Sequence, residues 1–471
     1  MLGAWSMIPS SAAAATKLAG VQAHLLWANV DTAEMKRQLD LVKSSGSTIT
    51  RVDVGWSSLQ ETGPDSFSSY HLGRLDALVN AAEARGIKLL LTFTWTPCWA
   101  SSAPESLKQG CAGEWWSRGV DRYVPKDPAA YASALGKVAA RYKGRVKAWE
   151  IWNEPNHEAY FKAPDQAAAY AALVKAAYPA VKAADPNATV VAGSLSASDH
   201  AFTTRLYQLG IKGSFDAFSI HPYSDDVSPL DPRIDQDPKY SFIRGVPAVR
   251  DVMVANGDGA KPMWLTEAGY STSPTRSTHR YLNGVSEATQ AEFVKLQVQQ
   301  VAKWSYVDAT IWFNLKDTSN DVNDLYANCG LRRWDGSAKP AWAAFQDSIA
   351  ILTHGEEQPG PGPQLPEGPR EPLTPAPPAP QTPAPVDTAP VVPVTPVTPV
   401  SPVAPITPVT PAPPATPTKP SITKRPPAKT TKRPTKKKTV SAKTSRATKK
   451  AKARAKARVA AKRKAVARRA R

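Results

Sequence analysis

The stretch WEIWNEPN, residues 149–156, is a short apolar segment that ends in polar residues and is stopped by a proline. Side chains in a strand repeat with a period of two, so Glu150 and Glu154 share one face. Pro155 lacks a backbone N–H and has a fixed φ, so a central strand cannot continue through it. The stretch therefore predicts a buried strand that carries Asn153 and Glu154 at its end.

Apolar, β-branched runs of this kind recur through the first 350 residues. The eight runs are LAGVQAHLLW (18–27), STITRVDVGW (47–56), IKLLLTFTW (87–95), VKAWEIWNE (146–154), TVVAGSLS (189–196), FDAFSIHPY (215–223), MWLTEAGY (263–270) and ATIWFNLK (309–316).

Segments with helical signals separate these runs. Asp31 begins DTAEMKRQLDLVKSSG with Glu34 three residues later, as in a capping box, and Gly46 fits the helix stop. In EATQAEFVKLQVQQVAKW, residues 287–304, the valines repeat on one helical face. Similar patterns cover residues 70–85, 128–143, 166–184, 200–210, 239–256 and 339–352.

Strict alternation of strand and helix predicts parallel strands joined by crossover helices. Eight repeats over residues 18–352 fit a closed (β/α)8 barrel, the TIM-barrel architecture. The alternative is an open doubly wound sheet, but no glycine-rich phosphate-binding turn follows the first run. We therefore predict an α/β fold of the TIM-barrel type.

The net charge of +19 belongs to the C-terminal part of the chain. Residues 1–350 hold 35 Lys+Arg and 35 Asp+Glu, so they are neutral overall. Residues 353–420 hold 24 of the 45 prolines, which favours a semi-rigid polyproline II linker. Residues 421–471 hold 22 Lys+Arg and no acidic residue, which predicts a disordered basic tail.

The N-terminus and the cysteines indicate in which cellular compartment the protein is expected to work. Residues 1–17 resemble a signal-peptide remnant without its charged n-region, so we expect an exported or cell-surface protein, with a cytoplasmic one as the alternative. Cys98 and Cys111 lie in one predicted loop and form a disulfide if the protein is exported; otherwise they are two loop thiols. Cys329 is left over. No Cys/His cluster has metal-ligand spacing, and no run of about 18 apolar residues predicts a membrane span.

Polar and aromatic residues recur where the predicted strands end, which is where barrel active sites form. They are Trp27, Trp56, Trp95, Asn153, Glu154, His221, Tyr223, Glu267 and Trp312. Glu154 and Glu267 are expected to face each other across the barrel mouth. Glycoside hydrolysis needs such a pair, one acid to protonate the leaving oxygen and one carboxylate on the other side of the anomeric carbon. A separation of about 5–5.5 Å implies the retaining mechanism and about 6.5–9.5 Å the inverting one.

At these motifs the chain resembles a known group of enzymes. WNEP at the fourth strand and TE at the seventh are similar to the motifs of the large clan of retaining (β/α)8 glycosidases. EIWNEPN, TPCWAS (96–101), SIHPY (219–223) and TEAGY (266–270) most resemble glycoside hydrolase family 39 and related cellulase-like families. The resemblance covers about residues 18–350 and leaves the linker and tail unassigned.

The resemblance implies a role for each matching residue. Glu154 is expected to be the acid/base and Glu267 the nucleophile, while Asn153 hydrogen-bonds the sugar 2-hydroxyl. The supporting positions are His221 with Tyr223, which orients the nucleophile, Arg51, which keeps it ionised, and Trp312 beneath the sugar.

Several of these residues have structural alternatives. Asn153 can cap the following segment, and His221 and Tyr223 can be core residues with satisfied hydrogen bonds. Arg51 can serve only as the partner of Glu150, which we expect to be buried, paired and structural.

The tryptophans of the segment after the third strand have two interpretations. Trp99, Trp115 and Trp116 either form a platform for the apolar faces of pyranose rings or pack the loop down. His24 and Trp27 are open to the same two interpretations.

The sequence favours a monomeric retaining hydrolase of a β-linked poly- or oligosaccharide, with no cofactor and no metal. One alternative is a non-catalytic carbohydrate-binding barrel, and the presence of both carboxylates argues against it. Another is a nucleic-acid-binding protein, which the neutral barrel disfavours. We expect the basic tail to bind an anionic polymer: a cell-wall polyanion, an acidic polysaccharide or nucleic acid.

Overall fold

Eight parallel strands close into a barrel in chain order, each pairing with the next and the last with the first. The computed structural model describes residues 16–276 and 283–354. The strands are β1 Leu18–Gln22, β2 Ile49–Gly55, β3 Lys88–Thr94, β4 Ala148–Ile151, β5 Thr189–Ser196, β6 Ala217–His221, β7 Met263–Ala268 and β8 Val307–Trp312. The predicted TIM barrel is confirmed.

Helices cover the outside of the barrel and connect its strands. They are α1 Thr32–Ser44, α2 Trp56–Leu59, α3 Ser69–Glu83, α4 Glu105–Lys108, α5 Pro128–Arg141, α6 Gln166–Ala184, α7 His200–Gln208, α8 Phe242–Ala255, α9 Glu287–Lys303 and α10 Pro340–Thr353. In the part of the chain that the structure describes, no helix has the length and apolarity needed to cross a membrane. Residues 1–15 of the predicted signal-peptide remnant, the basic tail, and the linker beyond His354 lie outside the described residues.

The first helix shows how the sequence pattern produces these elements. The Asp31 side chain accepts a hydrogen bond from the backbone N–H of Glu34 at 2.7 Å, which caps the start of α1. Met35, Leu39 and Val42 follow at helical spacing and are buried against the barrel. Each such side chain contributes about 1.5–3 kcal/mol when fully buried.

Inward-facing side chains fill the barrel in layers. The lower layer is apolar and comprises Ile49, Leu90, Ala148, Val191, Ala217, Trp264, Ala309 and Ile311. Two positions further along their strands, Arg51, Thr92, Glu150 and Ser219 place polar groups above this layer, as the period of two requires. The alternation thus supports a polar site on an apolar base.

Glu150 holds the polar layer together. Its side chain is fully buried and accepts hydrogen bonds from Arg51 Nε at 2.7 Å, Thr92 Oγ1 at 2.8 Å and Ser219 Oγ at 2.9 Å. Burial alone raises the pKa of Glu150, but the charges of Arg51 and His221 outweigh it and hold the pKa below its ordinary value. The prediction of a buried, Arg51-paired Glu150 is confirmed.

A disulfide joins Cys98 to Cys111 in the loop after β3, with the two Cα atoms 5.7 Å apart. Ala103, Trp115 and Val120 pack around Cys98 as a small cluster of their own. Cys329 is buried as a free thiol, and burial raises its pKa to about 12. The loop is thereby anchored beside the barrel mouth.

Candidate active site

The ends of the strands surround a cavity of about 440 Å³, here called the central cavity. The predicted residues Trp27, Asn153, Glu154, Tyr223 and Glu267 line it. Its wall also includes Gln22, His24, Asp53, Thr94, Trp95, His157, Ala159, Tyr160, Ser196, Phe313 and Tyr326. All eight strands, or the loops that follow them, therefore contribute to one concave surface.

Glu267 of β7 is held by two donors, one at each oxygen. Arg51 Nη1 donates to Oε1 at 2.5 Å and the Tyr223 hydroxyl donates to Oε2 at 2.8 Å. Only 8% of Glu267 is exposed, so both bonds lie in a largely water-free setting. These contacts fix the carboxylate in one orientation and favour its charged form.

Glu154 is held by the same His221 nitrogen that approaches Glu267. The Nδ1 atom of His221 lies 3.0 Å from Glu154 Oε1 and 3.6 Å from Glu267 Oε2, while its Nε2 lies 3.1 Å from Ser194 Oγ. The backbone N–H of Glu154 donates to Ser194 O at 2.9 Å. Both carboxylates therefore meet at one nitrogen of His221, which hydrogen-bonds Glu154 and lies close to Glu267.

Burial and charge compete in this cluster. Burial is the largest influence on Glu267 and raises its pKa; the nearby charges of His221 and Arg51 oppose this, and that of Glu154 adds to it. Burial lowers the pKa of His221, but Glu267 and Glu154 more than compensate and raise it. The cluster consequently favours a protonated His221 shared by the two carboxyl groups.

Arg51 connects this cluster to the layer beneath it. Besides Glu150 and Glu267, its guanidinium donates to Gln22 Oε1 and to Asn153 Oδ1, each at 2.7 Å. A fully buried cation requires such partners, because an unpaired buried charge is costly. The side-chain oxygen of Asn153 accepts the hydrogen bond from Arg51. The Nδ2 group of the same side chain can therefore donate to a ligand in the cavity.

The backbone is strained where the strands end. Trp95, Trp152, Glu154 and Ser194 all have positive φ values, of 69°, 67°, 46° and 48°. Non-glycine residues adopt this region at a cost, and such strain concentrates at functional sites. At Glu154 the left-handed conformation aims the side chain into the cavity immediately before Pro155.

The predicted tryptophans have different surroundings. Trp27 is 43% exposed, lines the central cavity and stacks on His24 with ring centroids 4.1 Å apart. Trp99 is half-buried, and its Nε1 donates to Gln60 O at 2.7 Å, so this indole packs the loop down. Trp312 is 3% exposed and packs beside Tyr270, while its neighbour Phe313 lines the central cavity.

The sequence reasoning missed Gln22, Asp53 and Ser194. Asp53 lies two positions beyond Arg51 on the same strand face, so the strand period was a usable signal for it. Gln22 is the last residue of β1, so its position at a strand end could have indicated a site residue in the same way. Ser194 was not predictable, because a register shift between Ala192 and Leu195 turns it towards Arg51 and His221.

Glu154, His221 and Glu267 each offer one ligand atom within 4.8 Å of the others. Among the described residues this is the group of Asp, Glu, His and Cys side chains able to hold a metal ion. Arg51 already supplies a positive charge to Glu267 at 2.5 Å, however. The donor set therefore suits proton transfer and carboxylate chemistry better than cation binding.

Two solved glycoside hydrolases have a barrel of similar fold. A family 39 glycoside hydrolase from Bacteroides cellulosilyticus has a TM-score of 0.56 and 22% identity, over 72% of this chain and 64% of that one. A family 39 enzyme from Xanthomonas axonopodis pv. citri has a TM-score of 0.54 and 20% identity, over 71% of this chain and 66% of that one. At these identities the likeness shows the fold, and it agrees with the predicted resemblance.

Two fungal proteins are similar over a shorter stretch. Probable mannan endo-1,4-beta-mannosidase F of Emericella nidulans is 29% identical over 156 residues, which is 29% of this chain and 35% of the relative. Probable mannan endo-1,4-beta-mannosidase A of Aspergillus niger is 31% identical, over 29% of this chain and 39% of the relative. The chain thus spans little more than a third of the length of these relatives.

The sequence model of one protein family matches most of the barrel. It is described as cellulase (glycosyl hydrolase family 5) and matches residues 10–309, which include Arg51, Glu154, His221, Tyr223 and Glu267. The matched stretch is more than half of the chain. The chain therefore belongs to the cellulase family, glycosyl hydrolase family 5.

Proposed function

We propose that this protein hydrolyses a β-linked polysaccharide by a retaining double displacement, with Glu267 as nucleophile and Glu154 as acid/base. The observation that carries the proposal is the proximity of the two carboxylates, which each bring one oxygen within 4.8 Å of the other and of His221. Retaining pairs are about 5–5.5 Å apart, and inverting pairs about 6.5–9.5 Å. The short separation favours the retaining mechanism over the inverting one.

In the first step, Glu267 attacks the anomeric carbon while Glu154 donates its proton to the leaving oxygen. The glycosidic bond breaks and a covalent glycosyl ester forms on Glu267. In the second step, Glu154 removes a proton from water, which attacks the same carbon and releases Glu267. The net change is the addition of one water molecule across the bond.

The neighbouring residues support these steps. Arg51 and Tyr223 hold the Glu267 oxygens in place, so little reorganisation precedes the attack. The free Nδ2 donor of Asn153 is suited to the sugar 2-hydroxyl. His221 stabilises the charge on Glu154 after it has released its proton.

Carboxylate variants test this proposal. We expect Glu267→Ala and Glu154→Ala each to abolish the release of reducing ends from a panel that contains mannan, glucan and xylan. Mannan comes first because the fungal relatives are named for it. Azide should rescue Glu267→Ala with an inverted glycosyl azide and Glu154→Ala with a retained one, because a small anion replaces a different carboxylate in each variant.

The control is Glu292→Ala, which removes an exposed carboxylate on α9 and should keep full activity. If wild type binds a glycan of the panel without cleaving it, and both variants bind equally well, the proposal fails. The non-catalytic carbohydrate-binding barrel would then replace it.

We further propose that the protein works outside the cell, with residues 421–471 as a tether to an anionic polymer. The disulfide between Cys98 and Cys111 supports an oxidising compartment. The 22 basic residues of the tail support the tether, since they would release counterions from a polyanion.

A further inference from the structure

We propose that His24, Asp53 and Thr94, here called the rim cluster, hold the free 3-hydroxyl of the sugar unit that Glu267 attacks. Asp53 is then a specificity-determining residue. The three side chains come from the loop after β1, from β2 and from β3, and all line the central cavity. The inference rests on the proposed function and deepens it, because it states which substituent of the substrate the site requires.

Strand register brings the rim cluster together. Asp53 of β2 pairs with the residue two positions before Thr94 on β3, so Thr94 follows on the same strand face. The last residue of β1 pairs with Arg51, two positions before Asp53. His24 lies two residues beyond the end of β1 and therefore beside Asp53. The charge of Asp53 accordingly acts on His24 and raises its pKa against the effect of burial.

Each member of the rim cluster has a polar atom without a hydrogen-bond partner in the part of the chain that the structure describes. These atoms are Oδ1 of Asp53, Oγ1 of Thr94 and Nδ1 of His24, and Thr94 is only 1% exposed. Asp53 has two long contacts: Gln22 Nε2 lies 3.5 Å from its Oδ2, and Arg51 Nη1 lies 3.8 Å from its Oδ1. Buried polar atoms are normally paired, so three unmet atoms along one wall indicate a bound ligand.

The three atoms differ in what they can donate and accept. Asp53 Oδ1 accepts, and the Thr94 hydroxyl can do either. Asn314 Nδ2 is a donor 3.3 Å from His24 Nε2, so Nε2 accepts and the proton of the neutral ring lies on Nδ1. Burial is the largest influence on His24, lowers its pKa and favours this neutral form. A ligand hydroxyl donates one hydrogen bond and accepts two, which matches this set.

Other ligand groups fit the rim cluster less well. A glycosidic oxygen accepts from His24 but cannot donate to Asp53, which leaves the carboxylate unpaired. An ammonium group donates to Asp53 but cannot accept from His24. A ligand carboxylate would be repelled by Asp53. The rim cluster therefore selects a free hydroxyl group.

The position of the rim cluster around the barrel identifies the hydroxyl. In the proposed mechanism the anomeric carbon lies between Glu154 and Glu267, and Asn153 at the end of β4 is suited to the 2-hydroxyl. Strands β3 and β2 follow β4 around the barrel. A ring whose C1 and C2 lie at β4 therefore directs C3 towards Thr94 and Asp53. Units whose O3 is acylated or linked, as in a β-1,3-glucan, should not be accepted.

The coupling between Asp53 and the 3-hydroxyl tests the inference. The probes are para-nitrophenyl β-glycosides of mannobiose, cellobiose and xylobiose, and their analogues without the 3-hydroxyl on the unit attached to nitrophenol. In wild type, loss of the hydroxyl should lower kcat/KM by about ten- to a hundredfold, the range for a hydrogen bond to a charged group. In Asp53→Asn the parent glycosides should lose a similar factor, and the 3-deoxy analogues should differ from them by less than about threefold.

Two further variants serve as comparisons. Asp65→Asn makes the same change between α2 and α3 at a side chain that is 93% exposed, and it should keep the wild-type loss for the 3-deoxy analogues. Thr94→Val replaces a buried, unpaired hydroxyl by a methyl group. It should therefore keep the free energy of unfolding, yet lower kcat/KM for the parent glycosides by about three- to tenfold. A purely structural role would lower the stability and leave the substrate preference unchanged.

Four results would overturn the rim cluster: an equal 3-deoxy loss in wild type and Asp53→Asn, no loss in wild type, full activity in Thr94→Val, or efficient cleavage of laminarihexaose. Calorimetry in the Glu267→Ala background makes the same comparisons for binding, and failure to bind any parent glycoside also overturns the cluster. A wild-type protein that cleaves nothing, yet prefers the parent glycosides in an Asp53-dependent way, would keep the rim cluster and overturn the hydrolase.

Discussion

Arg51 determines the electrostatics of the site because it is fully buried and shared between two carboxylates. One carboxylate, Glu150, lies inside the barrel and is permanently paired; the other, Glu267, faces the central cavity. A single cation thus serves the fold and the chemistry. The additional donor from Tyr223 then distinguishes Glu267 from Glu150 and fixes its orientation.

Tyr223→Phe should change the pH dependence of catalysis. The phenol donates to the charged form of Glu267, so its loss raises the pKa of a carboxyl that burial has already raised. The proposed nucleophile must be ionised, so activity should be lost as pH falls through this pKa. We expect the acidic limb of kcat/KM to move to higher pH and the maximum to fall about ten- to a hundredfold, the range for a hydrogen bond to a charged group.

A pH profile of both proteins checks this expectation. Tyr178→Phe is the control, because it removes a hydroxyl that donates to Asp216 at 3.0 Å on the outer side of the barrel. An acidic limb that stays at the same pH in Tyr223→Phe would contradict the role of the tyrosine.

At the scale of elements, an irregularity in β5 completes the site. The register between β5 and β6 shifts between Ala192 and Leu195, and Gly193 within this bulge has φ 108°. The bulge turns Ser194 so that its hydroxyl lies 3.4 Å from Arg51 Nη2 and 3.1 Å from His221. Bulges commonly re-aim a side chain next to an active site.

The substitution Gly193→Ala should lower the free energy of unfolding by more than the cost of the positive φ at this position alone. A Cβ at this position would lie 2.2 Å from Ser219 O, and the positive φ is itself unfavourable. We expect a loss of about 2–5 kcal/mol in the free energy of unfolding, from the conformational cost and the overpacking together. Gly213→Ala is the matched control, since Gly213 has φ 82° and open space around its Cβ.

Denaturant unfolding of the two variants checks the difference. Gly213→Ala should lose only about 1–2 kcal/mol, the cost of a left-handed conformation. Equal losses in both variants would show that the contact with Ser219 does not matter.

At the scale of the whole molecule, charge and catalytic groups are separated along the chain. Residues 1–350 carry no net charge, whereas residues 421–471 carry 22 positive charges. A ligand attracted by the tail therefore need not be the polysaccharide that the barrel is proposed to cleave. The two activities should be separable.

Removal of residues 421–471 should abolish binding to a polyanion and leave the hydrolysis of short oligosaccharides unchanged. The affinity of the full chain for teichoic acid or heparin should fall linearly with salt on a double logarithmic scale, because counterions are released on binding. Binding measured across a salt series, with the truncated chain as comparison, tests this. Polyanion binding that survives truncation would place the binding surface on another part of the chain.

The sequence by itself determined the barrel, since alternating apolar runs and capped amphipathic segments depend on local periodicity. It also predicted that Glu154, Glu267 and Tyr223 share one rim, because parallel strands bring their ends together, whereas Arg51 was predicted from the resemblance to the retaining glycosidases. Glu150 was separable from Glu154 by its depth along one strand face.

Only the tertiary structure decided which side chains meet. Ser194 enters the site through a bulge that no periodicity predicts, and Phe313 rather than Trp312 lines the central cavity. A second cavity lies between the loops after β1 and β8, which are far apart in sequence and adjacent only because the barrel closes. The proximity of the two carboxylates likewise depends on that closure, because strand order fixes which side chains share the rim and packing fixes their distance.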